Sequence, residues 1–238
     1  MKSKIEEGTR LYINITNSCN IDCPFCCMYS SSQNDKFMDF DTYKNIIDTF
    51  SSKPKTFELQ LEGGEPLLHK NIYLFIEYAV YTGKCSRVNI LTNGILLENH
   101  LRRIVDLAKW YKIPFSIKIS VNYWLLKQHK DHLKLISKYI FATEYIENFN
   151  IILNVRKRKN DEWIEEEIDK YNLRKYSNIF YLQSYGKLLG SDYKKPVIVQ
   201  NIEDWYIFAS DGKCFCQDLI ARSEHEKEIS TAFCNGKK

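Results

Sequence analysis

The feature that most constrains the fold of this chain is a regular alternation of short apolar segments with segments of helical periodicity. The short segments have the pattern of β-strands and lie at residues 11–16, 57–61, 88–91, 115–121, 151–155 and 179–182. Parallel strands need crossover connections, and right-handed crossovers curl six such units into an open barrel. The pattern therefore predicts an α/β fold, a partial (β/α)6 barrel with its reactive groups at the carboxyl ends of the strands.

Two details of the helices are also predicted. Asp41 is expected to cap a helix over residues 42–50, because a carboxylate there accepts hydrogen bonds from the first free backbone amides. Residues 125–146 are expected to form one long helix that follows the fourth strand.

Three cysteines, with the spacing C-x3-C-x2-C, follow the first predicted strand in the sequence CNIDCPFC at residues 19–26. Thiolates are the soft ligands of iron-sulfur clusters, and three of them leave one iron of a four-iron cube free to bind a small molecule. The same spacing also fits a zinc knuckle or buried thiols. We interpret the adjacent Cys27 as a packing or substrate-facing thiol, since neighbouring side chains seldom point at the same metal.

This cysteine motif, with the aromatic Phe25 before its last cysteine, resembles that of the radical S-adenosylmethionine (SAM) superfamily. The resemblance implies that Cys19, Cys23 and Cys26 hold a four-iron, four-sulfur (4Fe-4S) cluster and that SAM chelates its open iron. We place Phe25 among the residues that bind the cofactors.

A second motif, GGEP at residues 63–66, follows the second predicted strand and resembles the GGEP motif of the same superfamily. Its glycines let the backbone approach a ligand closely. The two motifs together favour the superfamily over a zinc knuckle. The resemblance implies that three residues of the second motif help to bind SAM, namely Gly63, Gly64 and Glu65.

Polar residues at the ends of the later strands complete the expected SAM site. Ser120 and Asn122 end the fourth strand, where the superfamily commonly places contacts to the ribose or carboxylate of SAM. Arg156 on the fifth strand is expected to meet the SAM carboxylate or an anionic substrate, although it also opens a basic run of the kind that is usually solvated. The turn Thr92-Asn93-Gly94 resembles a strand-end turn of the superfamily and is equally an ordinary Asn-Gly turn. The sequence assigns no catalytic acid, base or hydrogen donor.

From residue 186 the chain departs from the strand-helix rhythm, and we divide it into a barrel core at 1–185 and a cysteine-containing extension at 186–238. Asp211-Gly212 predicts the turn of a β-hairpin. The segment resembles the start of the SPASM and twitch extensions, which bind auxiliary iron-sulfur clusters. Three interpretations stay open for Cys214, Cys216 and Cys234: a second cluster completed by Cys85 or a substrate atom, a zinc site, or free thiols in a lid.

Composition sets wider limits. The chain has 238 residues, with 44% hydrophobic and 27% charged residues, as is ordinary for one large soluble domain. The net charge of +4 permits an anionic cofactor or substrate, and no clustered basic stripe indicates nucleic acid. No signal peptide or membrane span is evident, so we expect a cytoplasmic protein. In that reducing compartment its eight cysteines favour metal ligation over disulfides.

The resemblance implies an enzyme that cleaves SAM reductively to a 5′-deoxyadenosyl radical and abstracts a hydrogen atom from a substrate, with flavodoxin or ferredoxin as electron donor. The hairpin favours a peptide or protein substrate, because such extensions are frequent in peptide-maturing members. The shortness of the chain, with no peptide-recognition domain before the barrel, favours a small molecule instead, such as a sugar, nucleoside or deazapurine precursor. A non-catalytic cluster-binding or zinc-binding regulatory protein is the third alternative.

Overall fold

The computed structural model describes residues 9–196 and 204–236, with side chains to residue 232 in the second range. The strands of the described residues form one parallel sheet of seven, in the order β6-β5-β4-β3-β2-β1-β7. These strands are β1 (Thr9–Thr16), β2 (Phe57–Gly63), β3 (Cys85–Thr92), β4 (Phe115–Asn122), β5 (Phe149–Lys157), β6 (Ser177–Tyr181) and β7 (Trp205–Phe208). The predicted α/β partial barrel, with its six strands in sequence order from β1 to β6, is confirmed.

Helices connect successive strands and cover one face of the sheet. These connecting helices are α1 (Phe40–Ser51), α2 (Ile72–Tyr81), α3 (Leu97–Tyr111), α4 (Tyr123–Gln128), α5 (His132–Thr143) and α6 (Trp163–Lys170). A further helix, α7 (Leu219–Gly236), follows β7. None of the helices in the described ranges is both long and apolar enough to cross a membrane.

Two helix details differ from the sequence-based expectation. Asp39, rather than Asp41, caps α1, because its carboxylate accepts hydrogen bonds from the Thr42 amide at 2.7 Å and hydroxyl at 2.9 Å. The predicted long helix is two helices, α4 and α5, separated where His129 leaves the helical conformation with φ −124° and ψ 81°. A single helix of that length would extend about 33 Å, beyond the roughly 26 Å of an eight-residue strand.

The core lies between the helices and the sheet. Alternate residues of the central strands point to the helices and are fully buried, among them Leu11, Leu59, Ile117 and Leu153. Burying each such side chain contributes about 1.5–3 kcal/mol. This apolar face fixes the register of the strands, since a shift of one residue would expose every one of these side chains.

The opposite face of the sheet, which we call the inner face, is polar. It presents the intervening residues of the same strands, including Tyr12, Gln60, Glu62, Lys118 and Asn122. Parallel strands place their carboxyl ends at one edge of a sheet, so the loops that follow β1, β2, β3 and β4 meet there.

The C-terminal part of the described chain returns to β1. β7 pairs in parallel with β1, from Arg10 opposite Trp205 to Ile13 opposite Phe208. The predicted hairpin is present, because residues 213–216 fold back on β7 and Gly212 takes φ +88° at the turn. The strand β7 therefore belongs to the same sheet as the core, and the boundary at residue 185 stays a prediction.

Helix α7 lies against the inner face near β1 and β2. The Glu226 carboxylate accepts hydrogen bonds from the Asn14 side-chain amide at 2.5 Å and from the Ser210 amide at 2.6 Å. The Ser223 hydroxyl donates to the Cys27 carbonyl in the loop after β1. The helix thus joins the last described element of the chain to the first strand and to the cysteine loop.

Candidate active site at the carboxyl ends of the strands

The three motif cysteines lie in the loop between β1 and α1. Cys19 is buried, whereas Cys23 and Cys26 are half-buried. Within the loop the Cys26 amide donates to the Cys23 carbonyl at 3.2 Å, and the Cys19 amide donates to the Ser31 carbonyl at 3.0 Å. The Phe25 ring packs against Tyr123 at the start of α4, with 5.2 Å between ring centroids. The chain therefore folds back on itself after β1 and brings the three thiols into one loop, at the edge of the sheet where the strands end.

Two glycines pack directly against this loop, because loop atoms fill the space that a side chain at either glycine would occupy. A Cβ atom on Gly64 would lie 2.1 Å from the Ser18 carbonyl oxygen, and one on Gly186 would lie 2.3 Å from Cys27 Cα. Gly186 also has φ +62°, which a residue with a side chain adopts only with strain. The loop is thus held between the end of β2 and the turn after β6, where the Lys187 amide donates to the Cys26 carbonyl at 3.2 Å.

Glu65 lies beneath the loop and is fully buried. Its carboxylate accepts hydrogen bonds from the Thr92 hydroxyl at 2.7 Å and from the backbone amides of Asn93 at 2.7 Å and Leu67 at 3.0 Å. Burial raises the pKa of Glu65 to about 7, and these three donors partly offset the increase. The carboxylate therefore joins the end of β2 to the end of β3. Its predicted contact with SAM stays a prediction.

Asn93 extends this network to the cysteines. Its side-chain amide donates to the Asn20 side-chain oxygen at 2.7 Å and lies 3.8 Å from the Cys19 sulfur. The turn at residues 92–94, which the sequence left between a cofactor role and an ordinary turn, thus contacts the cysteine loop directly. Gly63, with φ +152°, lets β2 pass close to Thr16 at the end of β1.

The remaining predicted SAM contacts gather at the ends of β4 and β5. Asn122 lies opposite Arg156 in the register of β4 and β5. Ser120 lies two residues before Asn122 on the same face of β4. The Asn122 oxygen accepts from the amides of Trp124 at 3.0 Å and Leu125 at 2.9 Å and so caps α4. The Arg156 guanidinium lies 4.5 Å from the centre of the Phe180 ring. The structure brings these three residues together near the carboxyl ends of β4 and β5, close to the start of α4, which the cysteine loop contacts.

The cysteine loop has the chemistry that an iron-sulfur cluster requires. Burial raises the pKa of Cys19 to about 12 and raises that of Cys23 as well. Coordination deprotonates such thiols outright. Among the described residues no three His, Cys, Asp or Glu side chains are placed to share one metal ion, and the thiolates of a 4Fe-4S cluster each bind a different iron. Three soft donors in one clamped loop fit such a cluster.

The chain matches a known family over the part that contains this site. The profile of the "Radical SAM superfamily" matches residues 13–170, about two thirds of the chain. The chain belongs to the radical SAM superfamily. When bound, the 4Fe-4S cluster and SAM of this family supply a carbon-centred radical that abstracts hydrogen. This radical SAM protein is accordingly an enzyme rather than the non-catalytic alternative.

Similar proteins include an uncharacterized protein of Methanocaldococcus jannaschii, 26% identical over 85% of this chain and 79% of that protein. A probable GTP 3′,8-cyclase of the same organism is 36% identical, over 44% of this chain and 36% of the cyclase. A solved structure, native anSMEcpe with bound AdoMet and the Cp18Cys peptide, matches with a TM-score of 0.54 and 12% identity, over 73% of this chain and 51% of that one. The chain spans about a third of the cyclase and half of the solved relative, and the structural likeness shows the shared fold.

The thiols considered for an auxiliary metal in this radical SAM enzyme occupy two different places. Cys214 and Cys216 lie exposed on the second arm of the hairpin, where the Cys216 amide donates to the Cys214 sulfur at 3.4 Å. Cys85 is buried at the amino end of β3, and its thiol donates to the Arg87 carbonyl at 3.3 Å. The side chain of Cys234 lies outside the described residues. An auxiliary metal on these cysteines stays a prediction.

Several inner-face residues of this radical SAM enzyme were not found from the sequence. Arg222 of α7 forms a buried ion pair with Glu62 at 2.6 Å, and the Tyr185 side chain lies beside the Cys27 thiol. Lys118 lies between apolar residues of β4, and its position in the alternation alone would have assigned it to the inner face. The packing of Cys27 against Tyr185 and Gly186 agrees with its interpretation as a packing thiol.

Proposed function

We propose that this radical SAM enzyme abstracts a hydrogen atom from a residue of a peptide or protein, as in the maturation of ribosomally synthesised peptides. The observation that carries this proposal is the edge strand β6, the last strand on its side of the sheet in the described part of the chain. Phe180 and Tyr181 of β6 are 45% and 55% exposed. An extended peptide can add to such an edge through backbone hydrogen bonds, with its side chains in contact with exposed aromatic rings.

The relation to known structures agrees with this substrate class. The solved relative of similar fold contains both AdoMet and a peptide. Its likeness to this chain is one of fold, and it supports the proposal because a protein of this fold binds both AdoMet and a peptide. The hairpin at residues 205–216 resembles the opening of extensions found in peptide-maturing members, which adds support from the sequence.

In this proposal each site residue has a defined task. Cys19, Cys23 and Cys26 hold the cluster, and Phe25 packs beside them. Gly63 and Gly64 let the backbone approach SAM, Glu65 fixes the loops, and Ser120, Asn122 and Arg156 meet SAM from β4 and β5. A protein such as flavodoxin or ferredoxin supplies the electron.

The test combines turnover with a variant of the edge strand. Anaerobically reconstituted enzyme is incubated with SAM, dithionite and each short peptide encoded beside its gene, and 5′-deoxyadenosine and peptide mass are followed by mass spectrometry. We expect one peptide to stimulate 5′-deoxyadenosine formation and to change mass. Phe180→Ala should raise the KM for that peptide, whereas Phe141→Ala, which alters an exposed phenylalanine on α5, should leave it unchanged.

A second substrate class is favoured by a separate observation. Two sequence relatives are named for nucleotide reactions, a probable GTP 3′,8-cyclase and a SAM-dependent nucleotide dehydratase of Selenomonas ruminantium, the latter 30% identical over 38% of this chain. The same assay with GTP and other nucleoside triphosphates distinguishes the classes. Stimulation by a nucleotide and by none of the encoded peptides would contradict the peptide proposal.

A further inference from the structure

The inner face carries more positive than negative side chains. The strands and α7 contribute five cationic residues to it, namely Arg10, Arg87, Lys118, Arg156 and Arg222. They contribute three carboxylates, namely Glu58, Glu62 and Glu226. The face therefore has an excess of two positive charges. A neutral substrate does not require this excess, and an anionic one is attracted by it.

The excess is located at particular residues. Glu58 lies between Arg10 and Arg87, at 3.7 Å and 3.6 Å, near the amino ends of the strands. Arg156 and Lys118 form no ion pair with any carboxylate in the described part of the chain, where Lys118 donates only to the neutral side chain of Gln60, at 2.7 Å. Glu58 and Glu62 act on the Lys118 charge without forming an ion pair with it, and the hydrogen bond to Gln60 uses one of the three donors of its ammonium group, so that donors are left for a ligand.

Lys118 is connected to α7 by one chain of hydrogen bonds. Gln60 accepts from Lys118 and donates to Glu62 at 2.6 Å, and Glu62 accepts from Arg222 at 2.6 Å. Arg222 is 5% exposed, and its Nε has no hydrogen-bond partner in the described residues. Arg222 is therefore engaged with Glu62 at one end of this chain, and Lys118 lies at the other end without an ion pair.

The depth of Lys118 separates it from the expected SAM contacts. It precedes Asn122 on β4 by four residues, which corresponds to about 13 Å along a strand. Arg156 lies level with Asn122 in the register, so it can meet the SAM carboxylate at the rim. Lys118 is then left for a group that enters below the rim.

We propose that Lys118 is the anion-binding group of a site on the inner face for a negatively charged group of the substrate, either a carboxylate or a phosphate. The site rests on the proposed function, since it assumes that the substrate enters the barrel beside SAM. Both sources share oxygens that accept charge-assisted hydrogen bonds, which are stronger than neutral ones. An acidic residue of a peptide and the phosphates of a nucleotide are the two sources that the test distinguishes.

The test measures binding without turnover. Isothermal titration calorimetry under anaerobic conditions, on reconstituted enzyme with SAM, uses three probes: pyrophosphate, GTP and a hexapeptide of alternating Glu and Gly, with the Gln–Gly hexapeptide as the uncharged match. We expect at least one anionic probe to bind, and Lys118→Met to weaken it about tenfold or more. Lys118→Arg should restore most of the affinity. Preference for the acidic peptide identifies a carboxylate site, and preference for GTP and pyrophosphate identifies a phosphate site.

The controls separate this site from general charge and from the SAM site. Lys109→Met removes an exposed lysine of α3, outside the inner face, and should leave all affinities unchanged. Arg156→Met should weaken SAM and spare the anionic probe. Equal probe affinities in wild type and Lys118→Met, or no binding of any anionic probe, would overturn the site. Neither result would affect 5′-deoxyadenosine formation, which tests the proposed function separately.

Discussion

At the residue scale, the two glycines of the turn after β6 provide a matched pair. Gly186 and Gly190 both have positive φ, +62° and +84°, but only Gly186 has neighbours where a Cβ would lie. Gly190→Ala should cost only the conformational strain of about 1–2 kcal/mol. Gly186→Ala should cost more and displace the cysteine loop. Iron content after reconstitution and the midpoint of urea unfolding check this expectation, and equal iron contents in the two variants would contradict it.

His132 gives a prediction of pH dependence. Burial lowers the pKa of this histidine to about 4, from an ordinary value near 6.5. The folded state keeps the ring neutral while the unfolded chain takes up a proton, so stability is complete above pH 6.5 and declines as the pH falls towards 4. The decline is on the order of 1.4 kcal/mol per pH unit within that window.

The measurement compares wild type with His132→Gln by urea unfolding between pH 7.5 and 5.5, where other groups titrate in both proteins alike. We expect the difference in unfolding free energy between the two proteins to shrink as the pH falls below 6.5. The variant His100→Gln, measured in the same way, serves as the comparison, because His100 is half-buried and lies beside Tyr73. A difference that stays constant with pH would show that His132 is protonated in the folded enzyme.

At the element scale, the ion pair between α7 and β2 is the feature with the largest expected effect. Removing one partner of a buried pair leaves an uncompensated charge and costs about 3–5 kcal/mol, whereas replacing both with apolar residues is often nearly neutral. Arg222→Met should therefore destabilise the enzyme strongly, and the double variant Arg222→Met with Glu62→Leu should recover most of the loss. Chemical unfolding of the four proteins of this cycle measures the coupling, and additive effects would contradict it.

The elements also show which parts of the fold the sequence could provide. Strands β1 to β6 were predicted because each has an apolar pattern of its own. β7 was interpreted only as one arm of a hairpin, because the four residues Trp205–Phe208 carry no information on their second partner, β1. The prediction of a single long helix after β4 was wrong, because the length of the sheet, and not local propensity, decides where that helix must end.

In the candidate site, too, some features could be predicted from the sequence and others depend on tertiary contacts. The positions of the cysteine loop and of Gly64 followed from motifs that lie at strand ends. The role of Glu65 as a buried acceptor for the next strand did not follow, because its three donors come from tertiary contacts. Arg222 was not found for a similar reason, since its partner Glu62 lies 160 residues away in the chain. Its spacing of four residues from Glu226 was the only local signal of a helix face directed at polar partners.

At the scale of the whole molecule, the proposed peptide and anion sites lie on different parts of one barrel. Among the described residues β6 is the edge strand of the sheet, and Lys118 lies below the rim on β4. A peptide that pairs with β6 and places an acidic residue beside Lys118 would satisfy both proposals. The two experiments are independent, because one measures turnover with encoded peptides and the other measures binding of simple anions.

The contact between α7 and the cysteine loop joins residues 196 positions apart, from Ser223 to Cys27. During translation, the loop therefore leaves the ribosome long before the helix that covers it has been made. Until then the cysteine loop lacks its contact with α7, and its thiols are more accessible to oxygen and to competing metal ions. The full enclosure of the cysteine loop is consequently reached only after the chain has been made to residue 223.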